Sequence, residues 1–139
     1  MKKTLFFLLI AFTIQLSQVY AQSEKAKSPK EKQEGPLIEL EEQAFDFGEI
    51  TQGDKVVHTF KVTNTGSTPL VISNVLTTCG CTAPNYTSEP ILPNQDGEIE
   101  IAFDSRGKSG IQNKIITIIS NAVTPQTKIK ISANVLPKN

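Results

Sequence analysis

The run Val56-Val57-His58-Thr59-Phe60-Lys61-Val62-Thr63-Asn64, VVHTFKVTN, decides the fold. In an extended chain successive side chains point to opposite faces. Val56, His58, Phe60 and Val62 therefore share the inward face, and Val57, Thr59, Lys61 and Thr63 share the outward one. The same period of two recurs on both sides of this run. Upstream, Leu37-Ile38-Glu39-Leu40-Glu41 opens the pattern, and Phe45 and Phe47 alternate with Asp46 before the turn Thr51-Gln52-Gly53-Asp54. Downstream, Thr65-Gly66-Ser67-Thr68-Pro69 is a connection, and Leu70-Val71-Ile72-Ser73-Asn74-Val75-Leu76 is the next strand. Ile99, Ile101 and Phe103 alternate with Glu98, Glu100 and Ala102, giving a strand with an acidic outer face. Ile115-Ile116-Thr117-Ile118-Ile119 is apolar on both faces, the pattern of a central strand. In the last strand Lys128 and Lys130 face out while Ile129, Ile131, Ala133 and Val135 face in. Ala83 to Asn94 (APNYTSEPILPN) carries three prolines and reads as an irregular crossing with at most a short edge strand. No segment sustains a period of 3.6. About seven short strands separated by turn signals predict an all-β chain, an immunoglobulin-like antiparallel β-sandwich.

The strands occupy only the later part of the 139 residues. Met1-Lys2-Lys3, the apolar stretch Leu5 to Leu16 and the small-residue end at Val19-Tyr20-Ala21 form the pattern of a cleaved secretory signal peptide over residues 1–21. The apolar stretch is too short for a bilayer span, which takes about 20 residues, so no membrane span is expected in the mature chain. Residues 22–35, QSEKAKSPKEKQEG, hold four lysines, three glutamates and nothing aliphatic larger than alanine, the composition of a charged flexible linker. Residues 36–139 are long enough for one domain with one two-layer core. Without the signal segment the chain has 12 basic against 14 acidic side chains, so the basic patch that nucleic acid requires is missing. A periplasmic or secreted location follows from the leader, and an envelope or extracellular protein is the expected class of partner.

These residues resemble a known family. FDFGEITQGDKVVHTFKVTNTGSTPLVISNVLTTCGCTAP together with ILPNQDGEIEIAFDSRGKSGIQNKIITIISN is similar to the bacterial domain of unknown function 1573, exported immunoglobulin-like domains related in architecture to the ASPM-SPD2-Hydin and major-sperm-protein modules. The resemblance covers nearly all of Phe45 to Val135. Its marks are Phe47-Gly48, Asn64-Thr65-Gly66, Pro69-Leu70-Val71-Ile72, the CGCT element and Ser120-Asn121. It implies the fold and export, and no activity. Where the family usually has Pro-Gly, this chain has Pro93-Asn94, which still permits a turn.

Chemistry-bearing residues are few. Both cysteines, Cys79 and Cys81, stand in TTCGCT with one glycine between them. On a regular strand their Cα atoms would be about 6.5 Å apart, near the upper limit for a disulfide, and Gly80 has the backbone freedom to bring them closer. Three readings stand side by side: a passive disulfide, an exchangeable thiol pair whose small ring favours lability, and a metal site. Zinc in a structural site takes four protein ligands, and the chain offers two thiolates and one imidazole, His58. Two thiolates suit monovalent copper better. His58 is also simply a packed histidine with one nitrogen satisfied, since it shares a face with Phe60 and Val62.

Other motifs dissolve. Gly107-Lys108-Ser109 lacks the upstream glycine and the following helix of a phosphate loop. Glu98 and Glu100 form a solvated strand face, and with one histidine and no nucleophile elbow the parts of acyl transfer are missing. Two functions remain. One is a non-catalytic module, needing no cofactor, that meets a protein partner through an exposed sheet edge or the loop from Thr77 to Asn94. The other is a thiol-based redox or copper(I)-binding protein centred on Cys79-Gly80-Cys81.

Overall fold

The computed structural model describes residues 34–139. The expected signal peptide (residues 1–21), and all of the expected linker except Glu34 and Gly35, lie outside the described residues. Eight strands form two four-stranded sheets: β1 (Ile38–Leu40), β3 (Lys55–Asn64), β6 (Asp96–Asp104) and β5 (Thr82–Tyr86) in that order make one, and β2 (Ala44–Thr51), β8 (Gln126–Leu136), β7 (Gly110–Ser120) and β4 (Ile72–Thr77) make the other. No helix among the described residues is long and apolar enough to cross a membrane.

The alternation in VVHTFKVTN holds along β3. Phe60 and Val62 are fully buried, Val56 and His58 half-buried, and Val57, Thr59 and Lys61 exposed. Facing inward beside them are Ile99, Ile101 and Phe103 of β6, and the opposite sheet contributes Ile72, Val75, Ile116, Ile118, Ile129, Ile131, Ala133 and Val135. These side chains form one continuous core between the sheets. Fully burying an aliphatic or Phe side chain is worth about 1.5–3 kcal/mol, so this layer is what holds the sandwich together.

One feature differs from the sequence expectation. The sandwich is not wholly antiparallel: β2 runs parallel to β8, with Ala44 beside Lys130 and Ile50 beside Val135. Periodicity does not say which sheet a strand joins, and the two opening strands lie in different ones, β1 pairing with β3 and β2 with β8, so the chain crosses over at residues 41–43. The Ile115–Ile119 stretch is the later half of an eleven-residue strand that does lie inside its sheet, between β8 and β4. Among the described residues no further layer packs on its outer face, where Ile115 is 48% exposed.

Two buried polar side chains close the ends. At the end of β3, Asn64 is 0% exposed. Its amide nitrogen donates to the carbonyls of Thr68 (2.8 Å) and Ile91 (2.9 Å), and its Oδ1 accepts from the amides of Gly66 (2.9 Å) and Leu37 (3.3 Å). Gly66 belongs to the same construction: a Cβ there would run into the backbone of Gly35 and Leu37. Gly35 is itself bonded to Ser67 through both its carbonyl and its amide, so the last residue of the expected linker already belongs to the domain. At the other end Ser105, also 0% exposed, accepts from the Gly53 amide and shares its proton between the carbonyls of Thr51 and Asp54.

The Pro93-Asn94 departure is resolved by conformation. Asn94 has φ of 62°, and the Gln95 amide donates to the Leu92 carbonyl across the turn. Asparagine tolerates this left-handed region better than other residues with a Cβ. Asn64→Ala is expected to cost roughly 3 kcal/mol in urea unfolding, because the carbonyls of Thr68 and Ile91 and the amides of Leu37 and Gly66 all lose the side-chain amide at once. Asn94→Val should cost about 1–2 kcal/mol, with Asn94→Gly at or above the parent's stability.

Candidate functional site

The thiol loop connects β4 to β5. Thr77, the last residue of β4, turns its hydroxyl toward the carbonyls of Cys79 (3.1 Å) and Thr82 (3.4 Å), and the Thr82 amide closes the turn onto the Cys79 carbonyl at 3.4 Å. Cys79 and Cys81 are joined as a disulfide with Cα atoms 5.4 Å apart, closer than on a regular strand. The shortening comes without a left-handed glycine: Gly80 is not among the residues of positive φ, and a Cβ built on it meets nothing within 4 Å. Turn hydrogen bonding rather than glycine's special dihedrals folds the loop. Both cysteines are half-buried, with Cys81 packed against the core. The Cys79 sulfur lies 3.7 Å from the Thr82 hydroxyl, and the Asp104 amide donates to the Cys81 carbonyl at 2.9 Å.

That last bond brings the loop after β6 alongside the disulfide. An open cleft of about 530 Å³ runs between Gly80 and Cys81 on one wall and Asp104, Arg106, Gly107 and Lys108 on the other. A smaller one of about 180 Å³ adds Lys55 and Ala83. Arg106 donates to Asp104 through Nε at 2.8 and 3.0 Å and forms an ion pair at 2.6 Å, while Lys55 approaches the same carboxylate at 3.9 Å. The Arg106 hydrogen bonds hold the Asp104 carboxyl below its ordinary value. By its composition Asp104-Ser105-Arg106-Gly107-Lys108 is a polar strand connection; the register that lays β5 against β6 places it beside the thiols.

His58 is not brought to the thiols. Its ring stacks on Phe45 with centroids 3.5 Å apart and planes 6° from parallel, and meets Phe60 edge-on at 4.8 Å. Nε2 pairs with Glu42 Oε1 at 2.5 Å. Glu42 sits in the crossover between β1 and β2, so His58 pins the segment where the chain changes sheets. Among the described residues no group of three or more His, Cys, Asp or Glu side chains converges as a metal site. The three-ligand arrangement of Cys79, Cys81 and His58 therefore has no geometric basis.

The second candidate is the outer face of the β2-β8-β7-β4 sheet. Leu76 lies opposite Thr117, whose same-face neighbours along β7 are Ile115 and Ile119. Leu76 is 50% exposed, Ile115 48%, and Ile119 half-buried. Lys128 and Lys130 lie opposite Thr117 and Ile115 on β8, so an aliphatic row is bordered by two cations. The strand edges, by contrast, are blunted. β1 has three residues, β2 has a register shift between Asp46 and Glu49 with Gly48 at φ 70°, β5 contains Pro84, and β4 is irregular between Ile72 and Asn74. Each is a recognised obstacle to adding another strand.

With fold and site in view, relatives can be placed. The profile of a family described as "Protein of unknown function (DUF1573)" matches residues 38–135. The chain belongs to this family. No curated protein sequence matches it. Among solved structures, a protein of unknown function from Porphyromonas gingivalis W83 superposes with a TM-score of 0.63 at 23% identity, covering 79% of this chain and 51% of that one. The DUF1573 chain thus spans about half the length of that protein. An ASH/PapD-like domain of human CEP192 follows at 0.61 and 10% identity, covering 73% and 87%. The secreted serine protease VesC from Vibrio cholerae matches at 0.54 and 15%, over 75% of this chain but 24% of that one. At these identities the likeness is one of fold alone, which confirms the immunoglobulin-like sandwich.

Replacing both cysteines by serine should lower stability by about 1–2 kcal/mol, the amount expected from so short a loop, with the far-ultraviolet dichroism of the sandwich retained. Thermal melts of the double variant against the oxidised parent measure this.

Proposed function

We propose that this DUF1573 chain is an exported, non-catalytic immunoglobulin-like module that holds a protein partner in the cell envelope, periplasmic or at the cell surface. The observation that carries it is the aliphatic row of exposed Leu76 and Ile115 and half-buried Ile119 on the outer face of a sheet whose inner face forms the core. A surface strand normally reserves that face for polar side chains, and β7 does not. Lys128 and Lys130 along one side of the row give the partner its chemistry: an apolar contact patch with carboxylates at its rim. The blunted edges disfavour strand addition, so the contact is through the face and the adjoining loop of residues 77–94. Export is supported by the basic start and apolar stretch of residues 1–16.

The test uses a photo-crosslinking amino acid in place of Ile115, or in place of Thr59 on the outer face of the other sheet, in full-length chain produced in its own cells. Position 115 should yield a discrete adduct that position 59 does not, and Lys128→Glu with Lys130→Glu should reduce it about tenfold without changing the melting temperature of the purified domain. Equal adducts from both positions, or an adduct indifferent to the charge reversal, refute the proposal.

A further inference from the structure

We propose that the Cys79–Cys81 disulfide is a thiol–disulfide exchange site in which Cys81 accepts an anionic thiolate arriving through the basic cleft, and Cys79 departs as a thiolate against the Thr82 hydroxyl. The assignment rests on an asymmetry between the two sulfurs. Cys81 lines both clefts beside the loop, and Cys79 lines neither. Cys79 has instead the Thr82 hydroxyl 3.7 Å away, a donor that a departing thiolate can use. Gly80 between them is exposed, and a Cβ built on it would meet nothing within 4 Å, so the loop is open to solvent between the two cysteines.

The charges around the clefts point the same way. Lys55, Arg106 and Lys108 line them with a single carboxylate, Asp104, and that carboxylate is engaged by Arg106 and Lys55. The cluster therefore has a net positive charge of two, within a chain that is neutral overall. A positive cleft raises the local concentration of an anionic nucleophile and stabilises the thiolate it displaces. The sequence spacing adds to this, since a ring closed through one intervening residue is among the disulfides more readily opened.

The chemistry balances as an exchange. A partner thiolate attacks the Cys81 sulfur, the bond between Cys79 and Cys81 breaks, and a mixed disulfide forms at Cys81 while the electron pair leaves on Cys79. The partner's second thiol, once deprotonated, attacks the partner sulfur of that mixed disulfide and releases Cys81. Two electrons have then passed from a partner dithiol to the cysteine pair, the partner departs as a disulfide, and its two protons end on Cys79 and Cys81. The co-reactant is thus a dithiol protein with acidic residues around its thiols, or two equivalents of an acidic monothiol.

The probes are glutathione, whose thiolate form is anionic, and cysteamine, whose ammonium leaves its thiolate form with no net charge, each reducing the purified oxidised chain at matched thiolate concentration. The ratio of the two rates should favour glutathione and fall roughly twofold for each of Lys55→Gln and Lys108→Gln at low salt, with the advantage shrinking as salt rises. A loosened fold would speed both reagents together, so the ratio separates steering from destabilisation. In a second arm, Cys79→Ser should form the mixed disulfide with oxidised glutathione several-fold faster than Cys81→Ser, which leaves only the sulfur beside Thr82. A charge-independent ratio, equal or reversed rates for the two serine variants, or a parent that keeps both thiols reduced in an oxidising buffer overturns the proposal. It shares with the face contact only the requirement for export; loss of the Ile115 adduct leaves it standing, and the reverse also holds.

Discussion

Asn64 is the constraint on which one whole end of the sandwich depends. Where β3 finishes, its backbone and side chain together reach the approach to β1, the turn after β3, and the segment around Ile91 and Asn94–Gln95. Those segments have little pairing beyond the Leu70–Ile91 bridge and the Thr65–Leu37 bond, and burying an amide or carbonyl there without a partner would cost about 1–3 kcal/mol. One amide, with two donors and an acceptor oxygen, replaces the water they give up. Aspartate would have lost the donors, and leucine of similar size would have satisfied none of them. The close passage of Gly35 and Leu37 over Gly66 follows from the same convergence. Among the described residues no buried side-chain nitrogen or oxygen lacks a partner, so this end is polar yet closed.

Much of this fold is legible in the period of two. β3, β6 and β8 show their inward sets directly, because one face of each is buried and a slip of one residue would expose all of it. What periodicity cannot encode is which strand lies beside which. The parallel pairing of β2 with β8 and the crossover at residues 41–43 are of that kind. So is the placement of Arg106 and Lys108 beside the thiols, which depends on β5 lying against β6. Asn64 and Ser105 were unreadable for another reason: a polar residue at a strand end looks like the start of a solvated turn whether or not the core closes over it. Asn64-Thr65-Gly66 had value only as a family mark until the hydrogen bonds explained both its first and last residue. The Ile115–Ile119 run is central in its sheet as its pattern suggests, but that pattern cannot tell whether the outward face is covered, and Ile115 is 48% exposed.

The candidate site divides in the same way. Cys79 and Cys81 were conspicuous from spacing alone, and their closure needed no special glycine conformation. His58 was ambiguous in the sequence because inward histidines and ligands look alike there. The stack on Phe45 and the bond to Glu42 decide in favour of packing, and give it a definite task at the sheet crossover. The thiol pair lies instead beside Asp104, Arg106 and Lys108, and His58 is not among its neighbours.

The two ends of the sandwich therefore do different work. The chain enters beside Asn64, through Gly35 and Pro36, and that end is made of backbone held by one buried amide. β3 and β6 then run some nine or ten residues, about 30 Å, to the end closed by Ser105. The thiol loop and the cations of the β6–β7 connection lie at that far end. The aliphatic row on β4 and β7 reaches up to the same loop, since Leu76 is only three residues from Cys79. The smaller cleft beside Cys81, however, is walled by Lys55, Ala83 and Ala102, outward positions of the opposite sheet, so a partner on the aliphatic row and a thiol entering that cleft would approach from different sides of the sandwich.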